Sequence, residues 1–433
     1  MIEKPPKILP TAEETIPLLG TLIVNNTIRP LIEDYQYWDK VKYKSKEYRP
    51  DAVWAAVKLQ RSLKSTKLSF GKYHFSFMVT DTMQRLLHEF DLHIGGNLGS
   101  NIGIAETDKT KFMVNSIMEE AISSSQIEGA ITTRKKAKEM IRQEKKPENK
   151  SEQMIMNNFI TMRHIVEHKL EPLTSEGILH IHQLISSHTL DDKEDEGWFR
   201  DNNDVHVVNH SSSEIVHTPP PFSEIEGLMN DLCKFFNEDG EQFIHPIVKA
   251  CIIHFMIGWI HPFTDGNGRT ARTLFYWYML RRGYWLTEYM SISRIIQDSK
   301  NQYEKAYLYT ENDENDLGYF IHYHLLTMDK AFAALKEYIS RKQREVSQAA
   351  MFMKIQGVND RMAQILKILN DDGDRVFTTK EIENRFNISG FTARADLKAL
   401  IDLGFLEAIQ VNKKKQHFIK SSGFDKLLNK IKK

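Results

Sequence analysis

The segment HPIVKACIIHFMIGWI (residues 245–260) constrains the fold most strongly, because its apolar residues would surround a helix nearly completely. A helix without a polar face must be enclosed by other elements. Its longest apolar stretch, residues 250–260, is about half the ~20 residues that a membrane-spanning helix needs, and it contains His254. We therefore predict a central buried helix, a mostly α-helical fold around it, and no membrane association.

The composition favours a soluble, multidomain protein of a reducing compartment. The chain has 433 residues, with 41% hydrophobic and 27% charged side chains, which suggests two or three domains. Lys+Arg and Asp+Glu balance at 58 each, so the whole chain is not a polyanion binder, although a local basic patch is compatible with it. Cys233 and Cys251 both lie in apolar helical patterns, which is typical of buried free thiols. The first ten residues show no apolar secretion signal, and we expect a cytoplasmic protein.

Four regions can be distinguished along the chain. We predict an N-terminal, largely helical region (1–107), a helix and linker (108–150), a main helical domain (151–345) and a small separate unit (359–433). Asp108 is a plausible N-cap, and the charged residues 132–150 favour a solvated helix face running into a linker. KYHFSFMV alternates like a short strand, and the runs VHVV and EIVH, separated by NHSSS, predict a β-hairpin within residues 198–221.

The buried helix is followed by HPFTDGNGRTAR (261–272), which has the features of an anion site. Asp-Gly-Asn-Gly is a strong turn signal, and a new helix starts near Arg269. The N–H groups of such a turn and the positive end of a helix attract anions. Gly266 and Gly268 allow close approach, Asn267 offers an amide donor, and Arg269 and Arg272 lie three residues apart on one helix face. Two guanidinium groups suit a polyphosphate better than a single carboxylate.

Two further side chains in the segment suggest chemistry. Asp265 is a hard oxygen ligand that could hold Mg²⁺ against phosphates. His261 could take a proton from an incoming nucleophile near pH 7. Each residue alone is compatible with a structural role, as a core histidine, a turn or a solvent-facing arginine. Together, at this spacing, they favour phosphoryl or nucleotidyl transfer.

The segment resembles the signature of the Fic family, His-Pro-Phe-x-Asp/Glu-Gly-Asn-Gly-Arg-x-x-Arg, at every defined position. The similarity extends over about 108–330 and implies a Fic-type helical bundle with a small β-hairpin flap. It also implies transfer of AMP from ATP to a Ser, Thr or Tyr hydroxyl of a target protein, which includes the protein itself, with release of pyrophosphate. The roles that the resemblance implies are His261 as general base, Asp265 as Mg²⁺ ligand, Gly266, Asn267, Gly268 and Arg269 as phosphate ligands, and Arg272 as ligand of the γ-phosphate.

The resemblance also gives the predicted hairpin a role. In the family a flap beside the active site holds the target segment by strand addition, and residues Val205, His206, Val207 and Val208 with Ile215 to His217 match it in position. An ordinary surface hairpin is the alternative. Tyr303 resembles a tyrosine that lines the nucleotide pocket, with a core tyrosine as the alternative.

A second motif, SSSQIEG (123–129), resembles the inhibitory signature Ser/Thr-x-x-x-Glu-Gly/Asn of Fic proteins that carry their inhibitor in an N-terminal helix. The matching residues are Ser124, Glu128 and Gly129. A Glu128 carboxylate on Arg272 would occupy the guanidinium that should receive the γ-phosphate. A role of Glu128 in removing AMP from modified targets stays open.

Residues 359–433 resemble a winged helix-turn-helix domain. Three helical patterns are followed by LEAIQV and KKKQHFIK, which predict a hairpin. Thr392, Arg394 and Lys398 are candidate recognition residues, and residues 411–433 hold eight lysines against one acid, Asp425. Such a basic wing suits DNA phosphates, while a protein-interaction or dimerisation module is the alternative.

The leading interpretation is an autoinhibited protein adenylyltransferase with ATP and Mg²⁺. The alternatives are a Fic transferase with another nucleotide donor (UTP, GTP or a choline nucleotide), an enzyme that removes AMP, and a winged-helix DNA-binding regulator that uses the Fic fold as a binding platform. A homodimer is compatible with the sequence, which does not determine the oligomeric state.

Overall fold

The computed structural model describes residues 2–7, 10–24, 28–44, 47–95, 106–208, 214–386, 388–412 and 415–431. Nineteen α-helices and three two-stranded antiparallel sheets occur in these ranges. The chain divides into two compact units, Met1–Leu335 and Lys336–Lys433. Within the described ranges, no helix combines the length and apolar character that crossing a bilayer requires.

The first unit opens with a helical region that contains one hairpin. Its elements are α1 (Ala12–Val24), α2 (Arg29–Glu33), α3 (Trp38–Lys44), α4 (Pro50–Leu63), β1 (Thr66–Phe70), β2 (Tyr73–Phe77) and α5 (Asp81–His93). The alternating segment is strand β2, as predicted, and its partner β1 was not predicted. Phe75 of β2 lies against Phe255 and Trp259, so this hairpin covers part of the central helix.

The remainder of the first unit carries the candidate site. Its elements are α6 (Glu106–Ile127), α7 (Arg134–Arg142), α8 (Lys150–Glu167), α9 (Ser175–Ser186), β3 (Val207–Val208), β4 (Ile215–His217), α10 (Ile225–Asn237), α11 (Pro246–Ile260), α12 (Asn267–Arg281), α13 (Ile292–Asp298), α14 (Lys300–Asn312) and α15 (Gly318–Met353), the last of which continues into the second unit.

Helix α11 is the centre of this unit, as its composition predicts. Every residue of α11 except Pro246 and Gly258 is buried. Six residues, 261–266, separate the end of α11 from the start of α12, and residues Arg269 to Leu280 of α12 are all buried. The two helices pack along each other with the short connecting loop at one end. This pairing fixes the loop on a rigid support.

Two details of residues 106–150 differ from expectation. Asp108 lies inside α6, which begins at Glu106, so it is not the N-cap. Residues 132–150, predicted as a solvated face and linker, contain α7, which is capped by Thr133. Ala137, Met140 and Ile141 form a narrow apolar stripe that packs against α6 and α8. That stripe is hidden in the sequence by the surrounding lysines and arginines.

The second unit contains α16 (Asp360–Asp371), α17 (Thr379–Phe386), α18 (Gly390–Asp402), β5 (Leu406–Asn412), β6 (Lys415–Lys420) and α19 (Phe424–Ile431). The predicted three helices and hairpin are present, and α19 was not predicted. Phe377 pairs with Phe418 beside the hairpin, and a continuous apolar core runs from Phe352 to Leu428. The winged-helix assignment of this unit stays a prediction.

Candidate active site

The loop between α11 and α12 has two residues with positive φ. His261 ends α11 at φ 50°, and Gly266 precedes α12 at φ 85°. The Asn267 side chain closes the loop, because its Oδ1 accepts from Phe263 N at 2.9 Å and its Nδ2 donates to Phe263 O at 2.8 Å. We predicted an amide donor directed at a phosphate. In the structure this amide holds the loop, while the backbone N–H of Asn267 lies in the first turn of α12, where N–H groups have no acceptor within the helix.

Two buried guanidinium groups lie beside this loop. Arg269 Nη1 donates to Ile185 O at 3.0 Å, while its Nε and Nη2 have no hydrogen-bond partner within the part of the chain that the structure describes. Arg272 Nη1 likewise lacks a partner there. The charge of Arg269 is partly balanced by Asp265, whose Oδ1 lies 3.8 Å from Nη2, and that of Arg272 by Glu128, but a buried N–H donor without a hydrogen-bond acceptor still costs about 1–3 kcal/mol. The arrangement therefore points to an anion that would complete these hydrogen bonds.

His261 presents a proton-accepting nitrogen. Its Nδ1 lies 3.1 Å from Gly258 O, and because a carbonyl only accepts, Nδ1 carries the hydrogen and Nε2 of the neutral ring carries a lone pair. Burial lowers the pKa of His261 to about 4. The imidazole is therefore neutral at physiological pH.

Arg200 connects this loop to the chain around the flap, and the sequence analysis did not identify it. Its Nε donates to His261 O at 2.9 Å, and its other nitrogens donate to Asn202 O at 2.6 Å and Pro220 O at 2.5 Å. Its backbone N–H also donates to Pro262 O at 2.9 Å. Burial lowers the pKa of Arg200, which nonetheless remains charged. One side chain thus fixes the backbone of the histidine relative to both ends of the flap segment.

His182 of α9 supports the loop from the opposite side and was also missed. Its Nε2 donates to Asp265 O at 2.9 Å, its Nδ1 accepts from Gly197 N at 3.1 Å, and its ring stacks on Phe263 at 3.7 Å. Burial lowers the pKa of His182 to about 4, so the ring is neutral with both nitrogens engaged. Its only signal in the sequence was its position on the apolar helix face that Ile178, Ile181 and Ile185 form.

The hairpin predicted as the flap is present but short. Val207 pairs with His217 and Val208 with Ile215, whereas Val205 and His206 precede the strand. The predicted turn, residues 209–213, lies outside the described residues. His217 anchors β4, since its Nε2 lies 2.7 Å from Trp259 O and its Nδ1 lies 2.9 Å from Glu311 Oε2.

Tyr303 lies in the core. Its hydroxyl lies 2.8 Å from His254 Nε2, and its ring packs near Tyr307 and Phe320. This position matches the alternative of a core tyrosine that the sequence left open. Burial raises the pKa of the Tyr303 hydroxyl, and the positive charge of Arg272 acts in the opposite direction.

The end of α6 covers the second guanidinium. Glu128 Oε1 accepts from Arg272 Nη2 at 2.8 Å, and Ser124 accepts from Arg272 through both its hydroxyl (2.8 Å) and its carbonyl (3.0 Å). Burial alone would raise the pKa of Glu128, but Arg272 outweighs it and the pKa is lowered. Gly129, at φ 92°, ends this segment. A β-carbon at Gly268 would overlap the Glu128 carboxylate, so the two helices approach closely here.

Asp265 is the one predicted metal ligand. Its side chain is 55% exposed, and its Oδ1 accepts from Gly266 N. Across the described ranges, no group of three His, Cys, Asp or Glu side chains could hold a metal. A single exposed carboxylate fits Mg²⁺, which commonly takes its remaining ligands from phosphates and water.

A sequence profile of the Fic/DOC family matches the part of the chain that holds this loop. Residues 172–279 are a Fic/DOC domain. The domain includes His182, Arg200, the hairpin and the whole loop, while the end of α6 lies outside it. The family resemblance of the signature is thereby confirmed.

Relatives of this Fic/DOC domain carry informative names. It is similar to a protein adenylyltransferase Fic of Nematostella vectensis, at 31% identity over 119 residues, covering 27% of this chain and 25% of the relative. A protein adenylyltransferase Fic of Drosophila virilis is 34% identical over 116 residues, covering 27% and 22%. The chain thus matches about a quarter of the length of these curated relatives.

Solved structures share the fold over a larger part of the chain. A Fic family protein from Desulfovibrio desulfuricans superposes with a TM-score of 0.52 at 20% identity, covering 80% of this chain and 98% of that one. At this identity the likeness concerns the fold alone, and it confirms the predicted Fic-type helical architecture.

Proposed function

We propose that the chain is an autoinhibited protein adenylyltransferase that transfers AMP from ATP to a hydroxyl side chain of a target protein. The observation that carries this proposal is the pair of buried guanidinium groups, Arg269 and Arg272, whose unpaired N–H donors lie beside a helix N-terminus. The adenylyltransferase names of the relatives support the same reaction.

The phosphate tail of ATP supplies the anion that these donors lack. The first-turn N–H groups of α12, opened by Gly266 at positive φ, would hold phosphate oxygens together with Arg269. Arg272 would hold the γ-phosphate. Asp265 would hold Mg²⁺, which neutralises phosphate charge when bound.

His261 acts as general base on the target hydroxyl. The neutral Nε2 takes the hydroxyl proton, the hydroxyl oxygen forms a bond to the α-phosphorus, and the bond to the pyrophosphate oxygen breaks. A bound polyphosphate favours the imidazolium, so it raises the pKa of His261 from about 4 toward the working pH. Arg200 keeps the histidine backbone in place during the transfer.

The hairpin β3–β4 presents the target. Val208 and Ile215 are cross-strand partners with exposed fractions of 44% and 57%. Pairing of an extended target segment with this hairpin would bring its hydroxyl toward His261 while demanding little of the target sequence. We place the reaction in the reducing cytoplasm, which fits the buried free thiols Cys233 and Cys251.

Glu128 inhibits the enzyme in this proposal. Its carboxylate occupies Arg272, and it lies against Gly268, where phosphate oxygens should approach. A γ-phosphate cannot share this position, because two anions would compete for one guanidinium at close range. ATP would therefore bind only in an unproductive pose until α6 moves.

The test is AMP transfer by three full-length proteins, the parent, Glu128→Gly and Glu128→Gly/His261→Ala, incubated with labelled ATP and cell lysate. We expect strong labelling only with Glu128→Gly, and mass spectrometry of the labelled bands identifies the modified side chains. Labelled UTP and GTP compared side by side test the donor. Labelling by the Glu128→Gly/His261→Ala protein would contradict the role of His261 as general base. An inactive Glu128→Gly protein would contradict the proposed transferase activity.

AMP removal is tested separately. The parent protein is incubated with a target that the Glu128→Gly variant has modified, and release of free AMP is followed. Release that Glu128→Gly cannot perform would make Glu128 a participant in removal rather than an inhibitor.

We propose DNA binding as a second function, carried by the C-terminal unit. Arg394 and Lys398 are exposed one turn apart on α18, whereas Thr392 is engaged with the N-cap Ser389 at 2.9 Å. Gel shifts of the full chain and of Arg394→Ala/Lys398→Ala test it. We expect weaker binding and a shallower salt dependence in the double variant, and unchanged binding would contradict this surface.

A further inference from the structure

Helices α6 and α12 contact each other at three levels that are four residues apart on both helices. Because the numbers rise on α6 as they fall on α12, the helices run antiparallel at this interface. The three pairs are Glu120 with Tyr276 (2.9 Å), Ser124 with Arg272 (2.8 Å) and Glu128 with Gly268. The motif that resembles the Fic inhibitory signature includes Ser124 and Glu128, whereas Glu120 belongs to no motif identified above.

Glu120 is a buried carboxylate held by neutral donors. Its side chain is 1% exposed, and it accepts hydrogen bonds from the hydroxyls of Tyr276, Ser291 and Ser293 and from Ser293 N at 3.1 Å. Ser291 is also the N-cap of α13, so these donors lie at the positive end of that helix. Burial raises the pKa of Glu120, whereas these hydrogen bonds act to lower it.

Burying a carboxylate costs free energy, and this cost points to a role of Glu120 in positioning α6. A carboxylate needs donors in a fixed arrangement, and these come from two elements, α12 and the start of α13. An apolar residue could slide along α12, whereas Glu120 satisfies its hydrogen bonds at one register only. Ser124 and Glu128, one and two turns further on the same face, are then placed at Arg272.

We propose that Glu120 is a positioning residue that sets the register of α6 on α12 and thereby holds Glu128 on Arg272. This inference rests on the proposed inhibitory function of Glu128. Glu128 follows Glu120 by eight positions, about 12 Å along the axis of α6, and lies directly after the last helical residue, Ile127. Loss of Glu120 would therefore release the inhibitor while leaving the donors of the phosphate site in place, although the Glu120 charge also acts on Arg272 and raises the pKa of that guanidinium.

The central experiment compares Glu120→Gln with the parent in full-length protein. Glutamine keeps the shape but replaces an acceptor oxygen by a donor that faces other donors. We expect kcat/KM for AMP transfer to rise at least about tenfold, as is typical when hydrogen bonds to a buried charge are lost. In the Glu128→Gly background the same substitution should cause no further rise. Glu167→Gln, which removes an exposed carboxylate from α8, is the control and should change neither rate.

A purely structural role of Glu120 predicts a different pattern. It predicts lower activity from Glu120→Gln in both backgrounds, and this result would overturn the proposal. Unchanged activity of the single variant would overturn it as well. Should Glu120→Gln fail to fold, Ser293→Ala removes one hydroxyl donor to Glu120 with little change in volume and keeps the backbone N–H donor. It is expected to shift the rate in the same direction by a smaller factor, and an unchanged rate would again contradict the proposal.

Amide hydrogen exchange separates this proposal from the proposed function. In Glu120→Gln, residues 124–128 should exchange faster than in the parent while α12 stays protected. If Glu128→Gly transfers no AMP, the transferase proposal fails, and faster exchange at 124–128 still supports the register role. Equal exchange rates at residues 124–128 in parent and variant would contradict the register role, regardless of the AMP-transfer activity of either protein.

Discussion

The Glu128 carboxylate accepts a hydrogen bond from Arg272 at 2.8 Å, although the two residues are 144 positions apart in the chain. Arg272 is buried, and Ser124 accepts two more of its hydrogen bonds. The guanidinium that would receive a γ-phosphate is thus already satisfied on one side by α6. In the proposed function, the position of this one helix therefore governs the access of the nucleotide to the guanidinium.

The inhibition should be insensitive to mild acid. The pKa of Glu128 is lowered from 4.5, because Arg272 outweighs the effect of burial. The stabilisation by its ion pair is therefore fully present above pH 4.5 and is lost only as pH falls through the lower folded value. We expect the ratio of AMP-transfer rates, Glu128→Gly over parent, to stay constant between about pH 8 and pH 6. A ratio that falls toward one at pH 6 would contradict this.

Arg200 should be required for activity. Arg200→Met removes three hydrogen bonds to carbonyls, including that of His261, and leaves the buried Pro220 carbonyl without this donor. In the Glu128→Gly background we expect kcat to fall at least about tenfold and unfolding free energy to fall by about 2–4 kcal/mol. Arg163→Met, at an exposed i,i+4 pair on α8, is the control and should be nearly neutral. Parent-like kcat in Arg200→Met would contradict a positioning role.

Gly258 should not tolerate a side chain. A β-carbon there would lie 2.5 Å from the Tyr307 hydroxyl oxygen, and the Gly258 carbonyl is the partner of His261 Nδ1. Gly258→Ala should destabilise the fold by about 1–3 kcal/mol and lower kcat. Gly227 of α10 has nothing within 4 Å of its β-carbon position, so Gly227→Ala should stabilise by about 0.5–1 kcal/mol. Thermal unfolding of both variants measures the contrast, and equal melting temperatures would refute the steric argument.

His324 should make the protein acid-sensitive. It is 0% exposed, both ring nitrogens lack partners among the described residues, and burial lowers its pKa to about 3. Between pH 6.5 and this value the unfolded chain binds a proton that the folded chain excludes, so stability falls as pH falls. His324→Phe should flatten this dependence by about 1.4 kcal/mol per pH unit in that window. Parallel stability curves of parent and variant would contradict this, because they would mean that His324 binds its proton as readily in the folded chain as in the unfolded chain.

Much of the architecture could be predicted from local patterns. The buried helix α11, the turn and the start of α12 follow from contiguous residues, as do the two hairpins β3–β4 and β5–β6. The helical character of residues 132–150 was predicted, but the buried face of α7 was missed because only three of its residues are buried among basic neighbours. The closure of the loop by the Asn267 amide on Phe263 was not predicted, because the pattern of residues does not reveal this pairing.

The sequence alone determined which chemical groups the loop brings together, because they lie within one turn and one helical start, where local geometry decides which groups face the same space. These groups belong to His261, Asp265, Gly266, Gly268, Arg269 and Arg272. Only the tertiary structure decided what holds that loop and what covers it. Arg200, His182 and Glu120 reach their partners across 61, 83 and 156 positions. Contacts at such separations depend on how helices pack, and packing is set by the burial of whole faces rather than by any short pattern of residues.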